Sequence, residues 1–490
     1  MTIFDWLIVI LYAVIVIGIG LWSNNQQTNT AEYFLGQHRI PWWAIGFSII
    51  ATSFSAASLL GGPGEGFTHG LLYLQLQLGD LIGYGLVIAI LLPFFMRLNL
   101  TTAYQYLEKR FDIKTRSLGS ICFLLFVVAR LGALLYAASL VVATITSLPL
   151  YSAILLVGTI SIVYTAAGGM AAVIWTDVLQ FLMIFVGLGA GVWAAVSGVE
   201  GGFSALWQVA IDHNKFAVLN PVWEPESIHS LPTALLAYGV LAFAIAGTNQ
   251  QAVQRYVSCP DASSARKAIL LGWFSGFIGV AAALFLGILI FGFYQLNPGL
   301  PQNIHPDDIL SHFIVYHVPP GSAGLLIAAI FAAAMSSIDS ALHSLATCIT
   351  VDFYQRHIKP ESSEHNALRV AQWLIIIWGI IGIGTAFYVA AIGKALLPFL
   401  IKYNTMFMSP LLGLFLMGVL LPKINATGAF YGTIGTAIIL VISANFSWLR
   451  LPGIWHSAAA VPISIILGLI ISLFDTKPSK QSLQGLTIWT

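Results

Sequence analysis

Apolar runs of bilayer length recur thirteen times along this chain, near residues 5–23, 42–61, 71–97, 117–147, 151–167, 172–197, 232–256, 267–295, 320–354, 370–392, 396–421, 426–447 and 456–474. A transmembrane helix needs about 20 mostly apolar residues to cover roughly 30 Å of hydrocarbon, and lipid offers no partner for an unpaired backbone group. A chain built this way folds as a bundle of spanning helices: an all-α polytopic membrane protein. Only 8% of its 490 residues are Asp, Glu, Lys or Arg, against roughly 25% in a soluble domain, and this excludes a soluble enzyme. The formal net charge of +1 supplies no field to gather nucleic acid. The lipid bilayer is the partner that the composition demands, and no obligate protein partner is apparent. Cys122, Cys259 and Cys348 lie in or beside apolar runs and read as packing residues, since neither a disulfide framework nor a CxxC pair is present.

The first run, from Trp6 to Trp22, lacks a basic leader and a small-residue cleavage site, so it reads as a span and not as a signal peptide. Orientation follows from Lys and Arg, which cytoplasmic loops retain. With thirteen spans and the N-terminus outside, inside segments hold 15 of the 20 basic residues, in clusters such as Arg97 to Arg116, Arg255 to Lys267 and Arg356 to Arg369. Outer segments hold Lys215, Lys394 and Arg450, while Arg130 and Lys402 fall inside predicted spans. One missed helix would invert every later loop. The expectation is a multi-pass protein of the plasma (inner) membrane, N-terminus outside and C-terminus cytoplasmic, with two long outer loops at 198–231 and 296–319.

An unwound helix is tolerated in lipid where its freed backbone lines a cavity or binds something, so polar, small-residue interruptions mark candidate sites. The second span carries Ala51-Thr-Ser-Phe-Ser-Ala-Ala-Ser58, four hydroxyls in eight residues, followed by Gly61-Gly-Pro-Gly-Glu-Gly66. The seventh carries Ala246-Gly-Thr-Asn-Gln-Gln251. Their separation fits two five-helix inverted repeats, each opening on a discontinuous helix. Close helix packing through small and hydroxyl residues is the alternative. The ninth span adds Ala332-Ala-Ala-Met-Ser-Ser-Ile-Asp-Ser340, which places Ser336, Ser337, Asp339 and Ser340 on adjoining positions of one helix. Hard cations take oxygen ligands and need neither thiolate nor imidazole. Asp177, in Trp175-Thr-Asp177 at the expected start of the sixth span, reads as a carboxylate favoured by the helix dipole or as a simple cap.

With these residues in hand, the sequence resembles the sodium:solute symporter family from Tyr33-Phe-Leu-Gly36 to about residue 440. The most specific pieces are Tyr164-Thr-Ala-Ala-Gly-Gly-Met170 running on to Val173-Ile-Trp-Thr-Asp177, Gln254-Arg-Tyr256, and Ala332-Ala-Ala-Met-Ser-Ser337 with Asp352-Phe-Tyr354. Pro422-Lys-Ile-Asn-Ala-Thr-Gly-Ala429 meets the family's later signature only in part. The resemblance implies a leucine-transporter-type 5+5 inverted repeat with one extra N-terminal and two extra C-terminal helices. The expected organisation is one transport domain over 1–475, with repeats near 42–197 and 232–421, and a cytoplasmic tail at 476–490. It further implies sodium-coupled symport, with Na+ as the coupling ion held by the carbonyls of Ala51, Phe54 and Ala333 and the hydroxyls of Ser336 and Ser337. Sialic acid symporters in the family have a second sodium at positions matching Asp177, Ser336, Ser340 and Asp339. The carboxylate at Asp339 departs from their serine. Two acids and two hydroxyls strengthen a second cation site, or one acid stays neutral when buried.

The charges inside the spans bear on the solute, because intramembrane ionisable residues are costly and are usually functional or paired. By resemblance, Arg130 matches an arginine that holds a carboxylate in sialic acid symporters, Lys402 matches a sugar-contacting glutamine, and Gln77 matches a polar substrate-contacting position. Ser53, Ser55, Ser58 and Asn249 at the two breaks complete the expected substrate set. An arginine fork fits a carboxylate bidentately, so the expected solute is a small organic anion. The alternatives are structural: Asp80, one turn beyond Gln77, neutralises Arg130, and Lys402 pairs with an acid or snorkels. A sodium-coupled sugar or other neutral-solute symporter is the second functional reading, although Ser53-Phe-Ser-Ala-Ala-Ser58 lacks the pattern of sugar symporters. A channel or solute sensor belongs to a different class and uses similar oxygens. Enzyme chemistry is not expected, since the chain has no HExxH, no phosphate loop and no Cys/His cluster.

Overall fold

The computed structural model describes residues 2–24, 30–146, 148–297, 300, 304–392, 396–445, 453–476, 478–479 and 481–489, and leaves out the side chains of 21–24, 31, 37, 144–146, 164, 167, 307, 396–403, 444–445 and 482. Among the described residues every regular element is helical. Helix α1 (Ile3–Asn24) and the short α2 (Thr30–Leu35) precede a bent pair, α3 (Trp42–Ser53) and α4 (Ala56–His69), whose axes turn by 69°. Then follow α5 (Leu72–Arg97), α6 (Gln105–Arg110), α7 (Ile113–Thr146), α8 (Leu150–Gly168) and α9 (Met170–Ser197). The second half runs α10 (Gly202–Asp212), α11 (Leu231–Thr248), α12 (Gln250–Val257), α13 (Ala262–Leu296), α14 (Ile309–His317) and α15 (Ser322–Ile358). Helices α16 (Glu364–Ile392), α17 (Leu396–Leu420), α18 (Ala426–Asn445) and α19 (Trp455–Ser472) close the chain.

By length and hydropathy ten of these helices are membrane spans, or eleven with the bent pair counted as one, against the thirteen expected. The other two expected runs also contain apolar helices, but these are shorter, 150–163 and 404–420, because part of each lies outside the described side chains. The bundle is organised around α15, in which every residue from Ala332 to Cys348 is buried. Peripheral helices turn Ile3, Phe4, Trp373 and Ile380 outward, as lipid permits.

The broken helix lies close against its neighbours because glycine removes the side chains between them. A Cβ on Gly287 of α13 would fall on the Pro63 carbonyl oxygen, and one on Gly66 of α4 would fall on that of Leu284. Backbones in contact on both sides fix the tilt of α4, which sets the geometry of the break at its N-terminus.

At one end of the bundle, charges fasten α15 to α6 and α7. Asp352 accepts from Arg116 at 2.6 Å, Thr102 at 2.7 Å and Ser120 at 2.9 Å, and Glu108 pairs with Arg116 at 2.6 Å and Arg356 at 2.5 Å. Burial raises the Glu108 carboxyl, but hydrogen bonds from the two guanidiniums outweigh it and hold the pKa below the ordinary value. The tail expected to follow the last span folds back on this same end. The Tyr106 hydroxyl donates to the Leu486 carbonyl at 2.9 Å, the Ile488 amide to Val419 at 3.0 Å, and the Trp489 indole to Leu420 at 2.7 Å.

Gly287→Ala should therefore lower the melting temperature of the detergent-purified protein, since overpacking costs about 1–3 kcal/mol. Gly189→Ala, whose added Cβ meets nothing within 4 Å, should leave it unchanged. Equal stability of the two variants would contradict the close approach of α4 and α13.

Candidate ion and solute site

The sequence breaks where its hydroxyls compete for the backbone. Ser53 Oγ bonds back to the Ile49 carbonyl at 2.9 Å, a contact that bends helices. Phe54 has left helical geometry (φ −86°, ψ 85°) and Ser55 is extended (φ −84°, ψ 172°). The last carbonyls of α3 are thus without helical partners. Side chains of α15 reach them: Ser336 Oγ donates to the Ala51 carbonyl at 2.7 Å, and Ser337 Oγ to Thr52 at 3.0 Å. Both serines also turn toward the Ala333 carbonyl, at 3.1 and 3.4 Å. Ala51, Ala333, Ser336 and Ser337 therefore meet in one place, all buried, with Phe54 in the break beside them.

This donor set fits an alkali ion. Its oxygens are hard and uncharged, so they match a small monovalent cation and leave a divalent one uncompensated. Cation–oxygen bonds of about 2.4 Å put adjacent ligand oxygens roughly 3.4 Å apart, so the hydrogen-bonded separations of 2.7–3.4 Å present here must open slightly to admit the ion. The C-terminal end of α3 adds the negative end of its dipole. Thr52, not anticipated from the sequence, contributes a carbonyl here and a hydroxyl to the next cluster.

That cluster centres on Arg255, which is only 2% exposed although its charge suggested a loop. Its Nη2 lies 2.8 Å from Asp177 Oδ2 and donates to Ser340 Oγ at 2.5 Å, and Nε donates to Ser48 Oγ at 2.7 Å. Ser48 in turn donates to Asp177 at 2.5 Å, and Ser340 shares a 2.9 Å hydrogen bond with Thr52. Asp177 is two turns inside α9, so it is neither a cap nor at the helix start. Its counter-charge is the guanidinium and not a helix dipole. Of the residues expected around a second sodium, Asp177 and Ser340 meet through Arg255, while Asp339 faces α8 and accepts from the Thr165 hydroxyl at 3.0 Å. For Asp177 and Ser340 to hold a small cation, Arg255 must first withdraw. The clue in the sequence was slight: an arginine one residue before a tyrosine in a short helix after a break.

The expected solute residues are spread around the first break. Arg130 sits at the middle of α7, half-buried, with no hydrogen bond or ion pair among the described residues. The pairing with Asp80 does not form. Asp80 instead accepts from the Tyr238 hydroxyl at 3.5 Å. Tyr84, which the sequence reading missed, lies close enough to Asp80, Ser53 and Arg130 to interact with all three. Gln77 is buried beside Asp80, with its carbonyl accepting from the Trp273 indole at 3.1 Å. Ser55 and Ser58 are 3.4 Å apart at the start of α4. Asn249 is occupied locally: it marks the second break, extended at φ −75° and ψ 122°, and caps α12 by accepting from the Gln251 amide at 2.9 Å. Lys402 lies in α17 with its side chain outside the described residues.

A polytopic helical bundle with interrupted helices, a neutral oxygen cage and a mid-span cation without an ion-pair partner among the described residues has the make-up of a membrane transporter. A model of the sodium:solute symporter family matches residues 33–435, and the chain belongs to that family. The sodium/sialic acid symporter NanT of Aliivibrio fischeri is 29% identical over 441 residues, covering 89% of this chain and 85% of its own. The sodium/sialic acid symporter SiaT of Proteus mirabilis is 31% identical over 444 residues, covering 87% and 86%. A solved Na+-coupled sialic acid symporter, substrate-bound and outward-open, superposes with a TM-score of 0.89 at 27% identity over 98% of this chain and 99% of that one. The fold is accordingly of the leucine-transporter type.

Two variants separate the clusters. Ser337→Ala should raise the sodium concentration needed for half-maximal uptake severalfold at unchanged expression, and an unaltered sodium activation curve would remove Ser337 from the cage. Arg255→Met should destabilise the protein by about 3–5 kcal/mol by stranding a buried carboxylate, with most of the loss recovered in Arg255→Met/Asp177→Leu. Failure of the second change to recover thermal stability would show that Arg255 is not held mainly by Asp177.

Proposed function

We propose that the chain carries a small organic carboxylate across the plasma (inner) membrane with sodium, by alternating access. The observation that carries the choice of an anion is Arg130, a guanidinium at mid-span beside the broken helix that has no ion-pair partner among the described residues. A charge in that position is tolerated when it faces water or a ligand. The start of α4 adds the positive end of a helix dipole and the hydroxyls of Ser55 and Ser58, donors suited to the same charge. Gln77, Ser53 and Tyr84 supply neutral contacts for the rest of the solute. Sialic acid, the solute in the names of both curated relatives, is a carboxylate and fits this reading.

Sodium enters as co-substrate. The cage draws its oxygens from α3 and α15, so it is complete only when those helices are together. An ion held about 100-fold better in that arrangement shifts the population by about 2.7 kcal/mol. Solute bound at the same break adds its own preference, and the two ligands favour each other without touching. We assign one coupling sodium to Ala51, Phe54, Ala333, Ser336 and Ser337. Arg255 provides the fixed positive charge at Asp177 and Ser340.

For topology we propose the N-terminus outside and the C-terminus cytoplasmic, supported by the basic residues gathered at the Arg97, Arg116 and Arg356 end. Setting Arg255 aside as an internal charge leaves that asymmetry intact. A cysteine at exposed Trp223 should label from outside intact cells and one at exposed Lys359 only after permeabilisation; the reverse would invert the topology.

Labelled lactate, pyruvate, sialic acid, pantothenate and glucose, offered to proteoliposomes under a sodium gradient, test the solute class. Carboxylates should accumulate and glucose should not. Arg130→Gln should weaken apparent affinity about 10- to 100-fold, the value of a hydrogen bond to a charged group, while Arg130→Lys loses the fork and recovers only part. Accumulation of glucose alone would overturn the anion reading.

A further inference from the structure

At the far end of the broken helix, away from the ion and solute, three ligating side chains converge. Glu65 and His69 are four residues apart on the last turns of α4 and so share one face. His229 comes from the loop between α10 and α11. His69 Nδ1 and His229 Nε2 lie 3.0 and 2.9 Å from the same oxygen, Glu65 Oε2. The two imidazole rings are 4.2 Å apart, and the ligating atoms of all three residues fall within 4.8 Å of one another.

We propose that Glu65, His69 and His229 bind one divalent transition-metal ion of the zinc class and that the ion clamps this loop to α4. Two imidazoles and a carboxylate suit zinc, copper or nickel, whereas calcium and magnesium require oxygen throughout. Bonds of about 2.0–2.2 Å in tetrahedral geometry set ligand atoms roughly 3.3 Å apart. The two spacings to Glu65 reach that value with shifts of a few tenths of an ångström, and the histidine nitrogens, within 4.8 Å of each other, reach it by rotation of the exposed His69 ring. Access is also suitable: the side chains are 22% (Glu65), 42% (His69) and 16% (His229) exposed, so an ion enters from water and a fourth position stays open for a water ligand. A cavity of about 690 Å³, lined by residues from Trp223 to His229, opens on the same side.

The position gives the site leverage. The loop already grips the outer end of α4 and the start of α5: Lys215 Nζ donates to the carbonyls of Phe67 at 2.7 Å and Thr68 at 3.0 Å, and the Asn220 amide donates to Gln75 at 3.2 Å. His229 is two residues ahead of α11, which ends on the second break. A metal at this triad therefore ties the outer end of one interrupted helix to the entry of the other. Any motion that separates them must pull against the ion. Binding stands independently of the transport reading; only the clamp rests on it.

The test uses the purified full-length protein, stripped with chelator and titrated with Zn2+ by calorimetry and by metal analysis after desalting. Wild type should retain one zinc more per chain than the His69→Ala/His229→Ala variant and melt at higher temperature with zinc, with no such gain from Ca2+ or Mg2+. His229→Gln guards against misfolding, because it keeps a donor for Glu65 while losing the imidazole: it should remain folded and bind zinc at least tenfold more weakly. Equal zinc binding by wild type and both variants, or none by folded wild type, overturns the site. In proteoliposomes, external zinc should slow uptake by wild type and not by His229→Gln. Zinc bound at the triad without any effect on uptake would overturn the clamp while leaving the site in place, and absence of uptake in metal-free wild type would count against the transport reading alone.

Discussion

Carbonyl oxygens at the end of α3 have lost their helical partners inside a lipid-bounded protein, and the remaining architecture answers to that. Left alone they would each cost several kcal/mol. Ser336 and Ser337 satisfy them from the most deeply buried part of α15, at 2.7 and 3.0 Å. Three of the oxygens in this repair, the Ala51 carbonyl and the two serine hydroxyls, also belong to the set proposed for the alkali ion. On the proposed assignment, repair and ion binding are alternatives at one place, and the hydroxyl protons must turn away when the ion arrives. This is a natural origin for coupling: the ion substitutes for hydrogen bonds that hold two helices together and does so only while both helices are present.

Next to the cage, Arg255 joins α3, α9, α12 and α15 through Ser48, Asp177, Ser340 and the Gln251 carbonyl. A fixed cation there keeps the Asp177 carboxylate from drawing a mobile one as long as the clasp is closed. Thr52 connects the two clusters, its carbonyl in one and its hydroxyl in the other. Movement of α3 therefore acts on both. Glycine-mediated contacts hold both halves of the broken helix on α13, Gly46 and Gly272 on the α3 side and Gly66 and Gly287 on the α4 side, so the 69° turn is pinned from both ends.

Much of this was legible in the sequence, for physical reasons. Spans announce themselves by length and apolarity, and the first break by four hydroxyls in eight residues. The meeting of Ser336 and Ser337 with the break was reachable because the two serines are adjacent in sequence and the resemblance supplied their partners. What escaped were contacts that depend on how helices rotate against one another. Arg255 looked like a loop charge because its neighbours are polar, yet rotation turns it inward to Asp177. Asp177 looked terminal because the apolar run starts late, while the helix itself begins earlier at Met170. Asp80 and Arg130 suggested a pair because both lie within spans, but Asp80 turns to Tyr238. The Glu65, His69 and His229 cluster joins residues 164 positions apart, a distance no local pattern bridges.

The central claim is that sodium enters the α3–α15 cage as a transported partner. It is tested most directly by measuring solute accumulation in proteoliposomes with an inward sodium gradient and again with choline replacing sodium at constant pH, alongside sodium influx in the same vesicles. The account predicts accumulation that vanishes in choline and sodium influx that rises with solute. Accumulation that persists undiminished in choline, or solute uptake with no accompanying sodium, would contradict it.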